Sequence, residues 1–127
     1  MSADLDRGWV ARWLASYVAA WKSGDRDEIL DLFDEDARYR YHPWDEPLVG
    51  REAVADSWLE DPDLPGSFDA RYECFAVDGD AAVAVGESTY RNPDGTVARV
   101  YDNVFLLRFN ARGRCSEFTE LYMKRPD

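Results

Sequence analysis

SYVAAWKSGDRDEILDLFDEDARY, residues 16–39, holds a helix end, a second short helix and the start of a strand. Working back from it, Trp9, Trp13, Leu14, Tyr17, Val18 and Trp21 recur at three- and four-residue steps. That spacing predicts an amphipathic helix over residues 5–23. Gly24 stops it. Asp25 is placed to cap the next helix, with Glu28 three residues on as a capping-box partner. Ile29, Leu30, Leu32 and Phe33 give that helix its apolar face. Residues 37–42 then alternate, as a short strand does.

Working forward, Pro43, Asp45, Pro47 and Gly50 predict a loop, and residues 51–60 a third helix with Val54, Trp58 and Leu59 on one face. The prolines and glycine between Asp61 and Gly66 end it. From there the period changes to two. Strands are expected over 68–78 and 81–91, joined at Asp78-Gly79-Asp80. A turn at Asn92-Pro93-Asp94-Gly95 leads to a long strand over 97–109. A turn at 110–113 leads to a last strand over 115–123. Helices come early and a meander of strands comes late, which predicts an α+β fold: three helices on one face of a curved antiparallel sheet, enclosing a pocket.

At 127 residues, one domain is expected, without repeats or low-complexity segments. The 26 acidic residues outweigh the 15 basic ones, for a net charge of −11, which argues against nucleic acid and against anionic membrane surfaces as partners. Cys74 and Cys115 are isolated, so neither a zinc site nor a disulfide framework is expected. Reduced thiols and the polar opening MSADLDRGW fit a cytoplasmic protein without a signal peptide or membrane span. Aromatics at 14% are heavy for a domain this small, and mean either dense packing or a lined cavity.

The 16–39 stretch, with its x-G-D-x-D between an aromatic helix and a helix ending L-F-x-x-D-A, resembles the SnoaL-like and ketosteroid isomerase-like group of the nuclear transport factor 2 (NTF2)-like superfamily. VGREAVADSW, residues 49–58, resembles that group's G-x-x-A-I helix. LRFNARGRCSEFTELYM, residues 107–123, resembles its last hairpin. The resemblance spans nearly the whole chain and implies an NTF2-like cone. It also implies a register: Tyr39 and Tyr41 inward on the first strand; Val83, Val85, Glu87 and Thr89 on the second hairpin strand; Tyr101, Asn103 and Phe105 on the long strand; Phe118, Glu120 and Tyr122 on the last. Trp13, Trp58 and, near the mouth, Trp44 complete the expected ligand-binding wall.

The resemblance places the isomerase's hydrogen-bonding tyrosine at Tyr17. It puts the base at Tyr41 and the oxyanion-hole acid at Phe105. A phenol is a poor base at neutral pH and a phenyl ring cannot donate, so steroid isomerisation by that mechanism is disfavoured. Other groups remain as candidates for catalysis. Glu120 and Glu87 sit among apolar neighbours, where a raised carboxyl pKa would suit general acid–base work. A register slip of one would instead put them outside, and pairing with a Tyr or Arg would make them structural. Asn103 would offer a donor to a carbonyl, with Asp102 outside near Arg91 or Arg108. His42 either points to the outer face or reaches the cavity mouth.

Two functions follow. One is a metal- and cofactor-independent enzyme moving protons next to a carbonyl on a small, apolar, oxygenated molecule. The other is a non-catalytic ligand-binding or protein-interaction domain. A homodimer is expected through the face opposite the pocket, where Ala98, Val100, Val104 and Leu106 are apolar.

Overall fold

The structure is a computed structural model describing residues 5–60, 62–63 and 66–126. Residues 61, 64 and 65 of the expected helix-ending turn lie outside those described, as do residues 1–4 of the acidic opening segment.

Helix α1 (Arg7–Ser23) starts where the Asp6 carboxylate accepts the Trp9 backbone N–H at 2.7 Å. It ends at Gly24, whose φ of 65° is the left-handed conformation a side chain resists. Val10, Trp13, Leu14, Tyr17 and Ala20 are its buried stripe. Asp25 caps α2 (Arg26–Leu32) through the Glu28 N–H at 3.2 Å. The reciprocal arm of the capping box runs through Ser23: its hydroxyl accepts from the Asp25 N–H and donates to the Glu28 carboxylate at 2.8 Å.

Strand β1 (Phe33–Arg40) begins four residues before the alternation becomes visible in the sequence. Phe33 is buried and pairs with Cys115, while the ladder register shifts between Phe33 and Arg38. The acidic run 34–36 falls in that irregularity, which hides the strand's start. Within the expected 43–50 loop, β2 (Leu48–Val49) pairs with β1. Helix α3 (Arg51–Glu60) follows, then β3 (Phe68–Asp78), β4 (Ala81–Arg91), β5 (Val97–Phe109) and β6 (Cys115–Lys124).

The six strands form one curved sheet in the order β2-β1-β6-β5-β4-β3, without closing. All pairs are antiparallel except β1 and β6, which run parallel. The expected all-antiparallel sheet is therefore corrected at one ladder: the last strand returns to the middle of the sheet and lies along the first. The three helices and the sheet make an α+β cone. Its core is aromatic. Tyr39 stacks on Phe118 at 4.4 Å between centroids and 5° between planes, and Tyr17 stacks on Phe118 at 5.6 Å. Offset stacks of this kind add about 0.5–1.5 kcal/mol each beyond the area they bury. Among the described residues no helix is long and apolar enough to cross a membrane.

Candidate functional site

A cavity of about 330 Å³ opens between the helices and the inner face of the sheet. That is the small end of the range for small-molecule pockets, about 300–1,000 Å³. Tyr17 and Trp21 of α1, Tyr39 and Tyr41 at the end of β1, and Ser57 and Trp58 of α3 form one wall. Tyr72, Ser88, Tyr90, Arg99, Tyr101, Asn103, Glu120 and Tyr122 project from β3–β6 to form the other. Asp63 lies at the rim and accepts the Trp21 indole N–H at 3.0 Å.

The expected register holds on three strands and fails on β4. On β5, Tyr101, Asn103 and Phe105 face inward; on β6, Phe118, Glu120 and Tyr122 do. On β4 the inner residues are Ala82, Ala84, Ser88 and Tyr90. Val83, Val85, Glu87 and Thr89 therefore face outward, and Glu87 is removed from the site. Its carboxylate accepts from Arg125 at 2.8 Å, and Arg125 also binds Asp102 at 2.7 Å. Asp102 faces outward as expected, but its partner is Arg125 rather than Arg91 or Arg108. The parity of β4 could not be read because AAVAV, residues 81–85, is apolar on both faces.

Three aromatic candidates are core rather than wall. Trp13 donates its indole N–H to the Leu32 carbonyl at 3.2 Å and packs edge-on against Phe33 and Phe109. Phe105 and Phe118 are fully buried under the tyrosines. Trp44 is 80% exposed, stacked on His42 outside the cavity.

Inside, the polar groups are wired to one another. The Ser88 hydroxyl donates to Asn103 Oδ1 at 3.0 Å, and Ser88 works against the rise that burial causes in the Tyr72 phenol. With Oδ1 held by Ser88, the Asn103 amide N–H groups are left to favour the ionised form of Glu120. Trp58 packs edge-on against Tyr17 at 5.2 Å and lies 6.3 Å from Tyr39, and the Tyr17 and Trp58 side chains act on the Tyr39 hydroxyl, favouring its ionised form against burial. The Tyr41 hydroxyl lies 2.7 Å from Ser57 Oγ. Tyr17 and Asn103, expected to polarise a ligand carbonyl, are thus already engaged. Among the described residues the Tyr101 hydroxyl has no protein partner.

Burial among these rings pushes the Glu120 carboxyl up to about 7; the nearby His42 and the Asn103 side chain pull against that shift. Burial first, then the Glu120 charge, raises the Tyr72 phenol. Tyr17 and Tyr39 are raised by burial first and by neighbouring phenols and Glu120 after it, which keeps both protonated. His42 reaches the mouth: its Nε2 lies 2.8 Å from the Tyr122 hydroxyl and its Nδ1 2.9 Å from Asp45 Oδ2. Arg99 lies over the Tyr90 ring at 4.4 Å. Among the described residues no group of three or more His, Cys, Asp or Glu is placed to hold a metal ion.

Sequence reasoning missed Trp21, Ser57, Asp63, Tyr72, Ser88, Tyr90 and Arg99. The signal for β4 was Gly86. A side chain there would collide with the Arg71 carbonyl oxygen and lie 2.7 Å from the Tyr72 Cα, so β3 and β4 close in at this point.

Solved structures share the architecture. An NTF2-like protein of unknown function from Burkholderia xenovorans aligns with a TM-score of 0.69 at 20% identity, covering 94% of this chain and 87% of that one. A putative ketosteroid isomerase from Kribbella flavida aligns at 0.69 and 18% identity, covering 96% and 83%. The epoxide hydrolase/cyclase-like enzyme SalBIII, of pyran ring formation in salinomycin, aligns at 0.68 and 17% identity, covering 88% of each chain. These likenesses carry the fold. The sequence model of the SnoaL-like domain matches residues 14–118, from the middle of α1 to the Phe118 that underlies the cavity, and on that match the chain belongs to the SnoaL-like domain family.

Proposed function

We propose that this protein is an enzyme that moves a proton next to a carbonyl on a small, largely apolar, oxygenated molecule, with Glu120 as the acid–base group. The observation that carries the reading is Glu120 itself. It is a carboxyl in an aromatic cavity, held to about 7 by burial and anchored by Asn103. A base whose pKa matches the working pH combines a useful ionised fraction with useful basicity. The Tyr101 hydroxyl, without a partner among the described residues, supplies a hydrogen bond to the ligand oxygen as negative charge develops there. Such a step needs no cofactor or metal.

Isomerisation, cyclisation and dehydration all contain this step. The named activities of two similar structures, an isomerase and an epoxide hydrolase/cyclase-like enzyme, support chemistry of this kind. The steroid isomerase arrangement is disfavoured, since Phe105 cannot donate and the Tyr17 hydroxyl is coupled to Tyr39. The working unit is proposed to be a homodimer joined through the outer face of the sheet.

The test is α-hydrogen exchange. A panel of small cyclic ketones and enones in deuterated buffer is followed by mass spectrometry with the wild-type protein and with Glu120→Gln. Catalysed exchange falling about 10²–10⁴-fold in the variant supports the reading. Ligands that bind without exchanging in the wild type would leave a binding protein instead.

A further inference from the structure

His42 is the only histidine in the chain, and the chemistry assigned to Glu120 does not use it. It stands between two oxygens at the cavity mouth. Nδ1 is 2.9 Å from Asp45 Oδ2 and Nε2 is 2.8 Å from the Tyr122 hydroxyl. Trp44 stacks on the ring at 5.0 Å and 13°, covering one of its faces. Tyr122 lines the cavity two residues beyond Glu120, on the same face of β6.

The three residues run in one direction. An ionised carboxylate only accepts, so the bond to Asp45 assigns a proton to Nδ1. In the neutral ring Nε2 is then bare and accepts the Tyr122 O–H. That leaves the Tyr122 oxygen with lone pairs free to accept from a ligand. We propose that Tyr122, His42 and Asp45 form a proton relay that serves the oxygen end of the ligand, and that the cavity is built for an enolic or phenolic hydroxyl at this position. The ligand O–H breaks and its electron pair stays on the ligand oxygen. That proton forms the new Tyr122 O–H, the old Tyr122 proton passes to Nε2, and the imidazolium rests against Asp45. In the reverse direction the relay protonates a carbonyl oxygen. The pairing with a carbon-directed Glu120 rests on the function proposed above; the relay itself does not. The charged and titratable groups that face His42 are Asp45, Tyr122 and, through its charge, Glu120.

A single histidine makes the test direct. The full chain is labelled with ¹⁵N-histidine, and the ring nitrogens are followed against pH, with and without 4-nitrophenol, in the wild type, Tyr122→Phe and Glu120→Gln. The free wild type is expected to carry its neutral-ring proton on Nδ1. Bound 4-nitrophenol should absorb as the phenolate, with the ring midpoint moving up by about 1–3 pH units as the imidazolium gains an anionic neighbour. Tyr122→Phe should lose both changes. Glu120→Gln should keep both, because the phenol's proton then has only the relay to enter. A neutral ring protonated on Nε2, a cavity that does not take up the probe, uptake with the ring unmoved, or a coupled change that survives Tyr122→Phe or is lost in Glu120→Gln would each overturn the relay. A failure of ketone exchange to depend on Glu120 would count against the proposed function and leave the relay standing.

Discussion

Asn103 and Glu120 sit diagonally across the β5–β6 ladder, and the Asn103 side chain favours the ionised form of the Glu120 carboxyl. Ser88 fixes the other end of the amide by donating to Oδ1. The carboxyl that we make the acid–base group is therefore positioned by a neutral side chain that is itself locked. Asn103→Ala would leave the buried Ser88 hydroxyl without its acceptor and take a polar neighbour from Glu120. It should cost about 1–3 kcal/mol of stability, read by urea denaturation. It should also raise the Glu120 pKa further, because a donor to the ionised form is lost. A Glu120 that titrates lower in this variant, followed by carboxyl NMR, would break the assignment.

Glu120 makes the fold less stable as pH rises. Its folded pKa of about 7 lies above the ordinary glutamate value, so between those limits the folded state holds more protons than the unfolded one. Unfolding free energy then falls with pH across that window and levels off above it. The full effect is on the order of 3 kcal/mol, since each tenfold difference in proton affinity between the two states is worth about 1.4 kcal/mol. Glu120→Gln should remove the slope. Denaturation of both proteins between pH 4.5 and 8 is expected to give curves that diverge upward, with the variant relatively more stable at pH 8. Parallel curves would mean that Glu120 is not buried as a carboxyl.

Glu87 supplies the contrasting case, since it lies on the opposite face against Arg125. Glu87→Gln should leave ketone exchange unchanged while Glu120→Gln abolishes it. Equal losses from both would mean that the β4 register is wrong.

How much of this was legible before the structure depends on the strand. On α1 and α2, periodicity and capping residues placed Tyr17 and the helix ends, since a buried stripe and an N-cap each leave a local signature. On β5 and β6, polar residues stand beside aromatics, as at Tyr101-Asp102 and Glu117-Phe118, so the inner face could be read. On β4 both faces of AAVAV are apolar, so nothing local could correct the register that the family resemblance implied, with Val83 and Val85 inward. The space there belongs to the rings of Tyr72 and Phe105, 4.5 Å apart, and only alanines fit beneath them. Tyr122 and His42 were each legible as residues of the pocket and its mouth, but the bond between them was not. They are 80 residues apart in sequence and meet only because β6 returns beside β1.

Gly86 is where β3 and β4 approach most tightly. Its φ is not in the left-handed region, so the demand is for space rather than for backbone freedom. Gly86→Ala would drive a methyl into the Arg71 carbonyl and toward the Tyr72 Cα, both on rigid strand backbone. Overpacking of this kind costs about 1–3 kcal/mol. Because Tyr72 leads through Ser88 to Asn103, the variant should also weaken 4-nitrophenol uptake. A variant as stable as the wild type, by urea denaturation, would show that the two strands can separate without cost.

The outer face of the sheet yields the last prediction. Leu106 is 46% exposed and Met123 67%, with Leu121 beside them on β6. A row of this kind on neighbouring strands is a surface that a second copy would cover. An isologous contact meets itself, so one substitution acts twice. Leu106→Glu places two carboxylates against each other across the proposed interface, in a chain already at −11. Sedimentation velocity is expected to show a dimer for the wild type and a shift toward monomer for the variant at the same concentration. The inner face carries Leu107 rather than Leu106 into the core, so the variant should keep its fold and its cavity. A wild type that sediments as a monomer at all concentrations would remove the dimer and leave the outer face as plain surface.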